Sequence, residues 1–212
     1  MQDTLLRMGV EQKDTVDIID SSHFEVIAEG PVRSVFRLDF TRWDVLGTKV
    51  DVHETVTIWA GKNGYEEEIR TSPLPENAVL VTGLVANNNT KEFVEKQYAG
   101  KWVSMITHDK QTVNKDYELG MALLIPKDQL VETFHAPDEG NGILKTWCAK
   151  LKPGNNGYRY QVYAGWELGV DDFSKREEFI RLVDTYADYL NHPVSIHTVS
   201  YTHLRAHETA AN

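Results

Sequence analysis

The strongest constraint on this chain is a two-residue alternation of apolar and polar side chains that recurs along most of its length. In "VFRLDF", Phe36, Leu38 and Phe40 fall on one side while Arg37 and Asp39 fall on the other, the pattern of a half-buried strand. "DVHETVTIWA" repeats it, with Val52, Val56 and Ile58 in phase and His53, Thr55, Thr57 and Trp59 opposite. Glu54 breaks the apolar set, so it is expected near a sheet edge or in a polar pocket. Further strands are expected at 15–19, 23–28, 65–70, 79–86, 102–108, 118–125, 143–151 and 158–167. The stretches "AGKNG", "SPLPEN", "ANNNT" and "APDEGNG" are turn chemistry. "KPGNNG", between "TWCAKL" and "YRYQVYAGW", reads as a hairpin loop. The acidic "YEEEI" reads as a solvated edge that discourages strand pairing.

A single segment follows the helical period instead. "DDFSKREEFIRLVDTYADYL" places Phe179, Leu182, Val183, Tyr186 and Leu190 on one stripe. Ser174 and Glu177 have the spacing of a capping box, with Asp171 and Asp172 favouring the positive helix end. Pro193 stops the helix, and "VSIH" reads as a last strand. Many short strands with one late helix predict a mostly β, antiparallel two-layer sandwich, not a series of βαβ units. No internal repeat or linker is visible, so residues 1–198 are expected to form one domain.

Composition narrows the function classes. The 212 residues carry a net charge of −10, which repels phosphate backbones and argues against nucleic acid as a partner. No apolar run approaches the roughly 20 residues that span a membrane. Cys148 is the lone cysteine, so there is neither an internal disulfide nor a thiolate metal cluster. Its apolar neighbours mark it as a small buried filler.

Both ends are set apart. Val199 to Thr209 can be written back as codons that resemble the constant arm of a transposon-type sequencing adapter read in frame, so 199–212 is expected to be a non-native tail. His203 and His207 therefore drop out of the site search. The start of the chain shows no basic segment followed by an apolar run, hence no visible signal peptide.

"GPVRSVFRLDF", "VSMITHDK", "YELGMALLIP", "YQVYAGWELG" and "NHPVSI", in that order, resemble the bacterial family catalogued as domain of unknown function DUF4861. The likeness runs from about Ile19 to Ile196. It implies the curved sandwich of galactose mutarotase-like proteins and a place in the degradation of pectin-like or algal uronic glycans. It also implies an upstream segment rich in His, Asp and Gly, which this chain lacks. On that reading the chain is N-terminally truncated, and a secretion signal for a periplasmic or extracellular home was lost with that segment.

Against that background the candidate residues are these. His108 and Asp109 in "THDK" offer an imidazole and a carboxylate at a strand end, suited to proton transfer at a sugar carbon. The bland alternative is that Asp109 starts a turn and His108 packs. Trp166 and Tyr163 are candidate sugar platforms and Glu167 a polar partner, with Gly165 marking a bulge or close approach. His53 and Trp59 share a strand face that is either solvent or the sugar-binding hollow. His135 is expected in a loop. Arg33, Arg37, Arg70 and Lys101 could clamp a uronate. No cofactor is implied; calcium could reach Asp109 or Asp51, but no ligand spacing supports it. The two functions carried forward are an epimerase, lyase or hydrolase acting on sugars or uronic oligosaccharides, and a non-catalytic glycan-binding module.

Overall fold

The computed structural model describes residues 7–9, 19–76, 78–111, 115–140 and 142–194. The strand expected at 15–19 lies, but for Ile19, outside that set. So do most of the "VSIH" strand and the whole 199–212 tail.

The described residues form twelve strands: β1 (Arg7–Gly9), β2 (Ser21–Ala28), β3 (Arg33–Val45), β4 (Thr48–Trp59), β5 (Gly64–Thr71), β6 (Val79–Val85), β7 (Val94–Tyr98), β8 (Trp102–Asp109), β9 (Leu119–Pro126), β10 (Leu130–His135), β11 (Thr146–Leu151) and β12 (Tyr158–Trp166). A 3-10 turn (Asp171–Ser174) leads into the helix α1 (Arg176–Asn191). Two sheets result, ordered β1-β6-β11-β10 and β2-β3-β4-β5-β12-β9-β8-β7. Every pairing is antiparallel. This is the two-layer sandwich that the alternation predicts.

The small sheet packs on one face of the large one. Leu80, Leu84, Ala149 and Leu151 meet Val52, Ile69, Met105, Leu123, Tyr158 and Tyr160 in the main core. The helix covers the other face, where Phe179, Val183, Tyr186 and Ala187 pack on Ile106, Ala122, Leu124 and Tyr163. β8 is buried along its whole length because it lies under both layers, as strands covered on both sides do. Gly120 and Gly165, paired across β9 and β12, leave a dimple for Phe179. A Cβ at Gly120 would stand 2.5 Å from that ring, and one at Gly165 2.9 Å. Gly165 thus marks a close approach.

Four local expectations need correction. "KPGNNG" is not a hairpin loop: β11 pairs with β6 and β10, β12 with β5 and β9, so the loop carries the chain from one sheet to the other. "YEEEI" is not an edge, because β5 lies between β4 and β12 and buries Glu67. Ser174 does not cap the helix; it ends the 3-10 turn, and the N-cap is Lys175 with no side-chain bond. His135 closes strand β10 instead of lying in a loop. β7 and β10 were not legible, since both are short and polar along much of their length.

Candidate functional site

The hydrogen-bonded register separates the His108–Asp109 pair. His108 stands opposite Gly120, and Gly120 opposite Gly165; Asp109 stands opposite Leu119, and Leu119 opposite Trp166. Neighbours on a strand point to opposite faces, so His108 turns towards the helix while Asp109 shares the face of Trp166. His108 is 1% exposed. Its Nε2 lies 2.7 Å from the Phe173 carbonyl, which can only accept, so Nε2 carries the proton. Its Nδ1 is 3.4 Å from a Glu118 carboxylate oxygen and makes no hydrogen bond.

Asp109 has a different task. One carboxylate oxygen accepts from the Thr90 amide, the Thr90 hydroxyl at 3.0 Å and the Lys91 amide at 2.8 Å. The other accepts from the Lys110 amide at 2.7 Å. Burial pushes its pKa upward, but these donated N–H groups outweigh burial and hold it below the usual carboxylate value. The side chain clasps the loop after β6 to the end of the large sheet.

That loop links back to His108. Lys91 donates to both Glu118 oxygens, at 2.8 and 2.9 Å, and Glu118 is the carboxylate beside His108. The Glu118 amide in turn donates to Glu167 at 2.9 Å. Trp166, 45% exposed, meets the Tyr117 ring edge-on at 6.3 Å. His108, Asp109, Trp166 and Glu167 therefore gather at one end of the large sheet around Glu118, in separate contacts.

The remaining sequence candidates lie elsewhere. Tyr163 is buried beneath α1, stacked on Tyr186 at 4.5 Å, with its hydroxyl donating to Gln161. His53 and Trp59 are on the face turned away from the small sheet. The His53 ring bonds Asp39 at 2.6 Å, and this bond, first among the causes, lowers the Asp39 pKa. Arg37 is paired with Glu25 and Asp39, and the Arg33 guanidinium lies 5.4 Å over Trp59. Cys148 is buried, its thiol pushed up to about 11 by burial, the state of an inert filler. The Asp51 carboxylate accepts from the Arg42 amide.

The clasped loop lines a cavity of about 1080 Å³ at the end of the small sheet. Its wall is aromatic: Phe93 stacks on Trp147 at 4.2 Å, and His135 meets Trp147 edge-on at 4.7 Å. Asn87, Asn89, Lys91, Asp138 and Lys145 supply polar groups around it. The Asn89 side-chain oxygen is buried without a hydrogen-bond partner. The lining as a whole is more polar than apolar, and Glu92 and Glu139 join Asp138 as its carboxylates beside the two lysines. Sequence reading passed over Trp147 because it opens a strand whose alternation reads as core.

A second polar feature lies between the sheets. Glu54, 8% exposed, and Glu67, 6% exposed, share the inner face with Tyr160. Burial raises Glu54 to about 7. Burial, then the charge of Glu54, raises Glu67 to about 9. Glu54, expected near a sheet edge or in a polar pocket, lies buried on an inner strand between the sheets. Glu67 had a signal too, since Tyr65, Glu67 and Ile69 share one phase.

Comparison with known proteins assigns the chain. The profile of the family described as "Domain of unknown function (DUF4861)" matches residues 7–196, and the chain belongs to that family. No curated protein matches it. Among the described residues no helix is long and apolar enough to cross a membrane.

Proposed function

We propose that this DUF4861 member binds a sugar or uronic oligosaccharide in the cavity beside the 87–93 loop, within bacterial polysaccharide degradation outside the cytoplasm. The observation that carries the reading is the aromatic wall of Phe93, Trp147 and His135 set against amide and charged side chains. Aromatic surfaces take the C–H face of a pyranose, and its hydroxyls then need polar partners such as Asn87 and Asn89. Lys145 is the lining cation at hand for a uronate carboxylate, the Lys91 ammonium being held by Glu118. The implied mutarotase-like ancestry agrees with a sandwich whose large sheet is covered on one face by a second sheet.

In this reading His108 and Asp109 are positioning residues. Asp109 fixes the backbone of Thr90 and Lys91, and His108 backs Glu118, which holds the Lys91 ammonium. Binding without turnover fits this arrangement better than acid–base catalysis by the pair. The four donors on Asp109 occupy the lone pairs a base would use, and His108 is closed off beneath Phe173 and Phe179. Titration with oligogalacturonides and neutral oligosaccharides, followed by calorimetry, tests the reading. Trp147→Ala should weaken binding at least tenfold while leaving the far-UV circular dichroism unchanged. No binding of any such oligosaccharide by the parent would end it.

A further inference from the structure

The large sheet ends in a strand that the glycan reading leaves unused. β2 is exposed at every residue from Ser21 to Ile27, and among the described residues it pairs only with β3. An edge strand presents a row of unpaired N–H and C=O groups, and natural sheets blunt such rows with short strands, Lys, Pro or bulges. The other edges carry those devices. β1 has 3 residues, β7 has 5 with Lys96 at its centre, and β10 has 6 with a register shift between Leu130 and Glu132. β2 has 8 residues, neither Lys nor Pro, and its register shift falls at the far end, between Val26 and Ala28. Its inner face is apolar as well. Phe24 and Val26 lie opposite Leu38 and Phe36, with the Phe24 and Phe36 rings 5.6 Å apart. The core beneath the small sheet takes in Phe40 and Val52 but stops short of these four, so Phe24 and Val26 stay 57% and 55% exposed.

What this edge fits is another copy of itself. Antiparallel strands related by a two-fold axis through Phe24 pair that residue with itself, His23 with Glu25 and Ser22 with Val26. Each His23 imidazole then faces the Glu25 carboxylate of the other copy, and each Glu25 is already paired with Arg37 at 2.8 Å. Because His23 stands opposite Asp39, and Glu25 opposite Arg37, one row across the joined sheets reads Asp39, His23, Glu25, Arg37. Acidic and basic side chains alternate along it, and the axis repeats the row. Unlike charges directly opposite one another favour a cross-strand pairing, and like charges oppose it. An axis through Glu25 would set two carboxylates against each other, and one through His23 would put Phe24 against Ser22. We propose that the chain forms a two-fold dimer in which β2 pairs antiparallel with β2 of a second copy, joining the two large sheets into one. Phe24 meets Phe24 at the centre of the inner face, and the His23–Glu25 pairs flank the axis on the outer face. Such self-complementary two-fold contacts are the commonest form of assembly among soluble chains. The surface shares no residue with the glycan cavity, so the two proposals stand or fall separately.

The test uses the full chain. Sedimentation velocity at micromolar concentration should show a species of twice the 24.1 kDa chain mass. Phe24→Lys puts an ammonium at the centre of the pairing and should weaken the dimer about tenfold or more. The position is exposed, so the variant should keep its far-UV circular dichroism; Val26→Lys serves if it does not fold. Oxidative crosslinking reads the register, since the native Cys148 is buried. Phe24→Cys should yield a disulfide-linked dimer, because directly opposed Cβ atoms stand about 4.5–5.5 Å apart. Val26→Cys should not, because the two copies of that position are about four residues, or roughly 14 Å, out of step. A monomer throughout the micromolar range, a dimer untouched by Phe24→Lys, or crosslinking at position 26 in place of 24 would each overturn the proposal.

Discussion

Asp109 shows how much one side chain decides. Its two oxygens accept four hydrogen bonds from a loop and a neighbouring amide, so Asp109→Asn puts an N–H where an acceptor is required. Charged hydrogen bonds of this kind are worth more than neutral ones. The substitution should cost about 2–3 kcal/mol in urea unfolding. It should also weaken oligosaccharide binding, because Thr90 and Lys91 lose their anchor. Since the folded Asp109 pKa is depressed, its contribution is present above the unfolded value near 3.9 and fades as pH falls through the folded one. Glu54 and Glu67 behave in the opposite sense. Their folded values, about 7 and about 9, lie above an unfolded value of roughly 4.3. The stability tied to their protonated forms is complete below that value and is lost as pH rises through 7 and then 9. Urea midpoints should therefore decline from mildly acidic to alkaline pH, and Glu67→Gln should flatten the decline. A slope unchanged by that substitution would contradict the assignment.

At the scale of elements, the helix stripe and the strand alternation were legible because each repeats over several turns or pleats. Phe179, Val183 and Tyr186 are buried as their spacing requires. The seat of Phe179 was not legible: it exists only because Gly120 and Gly165, 45 positions apart in the chain, become cross-strand partners. Gly120→Ala should push the Phe179 ring outward and destabilise the protein by about 1–3 kcal/mol, read by chemical denaturation. Tyr163 fluorescence beneath α1 should change with it. The same limit explains two corrections. A turn-rich stretch such as "KPGNNG" says that the chain reverses but not which sheet the next strand joins. The phase of "YEEEI" places Glu67 with Tyr65 and Ile69, but only the position of β5 between β4 and β12 buries that face.

For the whole molecule, apolar–polar periodicity by itself determined a β-rich sandwich with one late amphipathic helix, since alternation and helical spacing are local properties of the chain. It also picked out the strand end at His108, Asp109, Trp166 and Glu167, because polar and aromatic residues there interrupt apolar runs. What those residues do was decided by register. A shift of one position exchanges the faces of a strand, and the register sends His108 under the helix and Asp109 to the loop. The aromatic cavity and the buried glutamates were likewise settled only in three dimensions. Phe93, His135 and Trp147 come from three separate segments, and Glu54, Glu67, Thr82 and Tyr160 come from four strands in two sheets. Contacts between residues so distant in the chain depend on which strands pair and which layer covers them, and no local pattern encodes that.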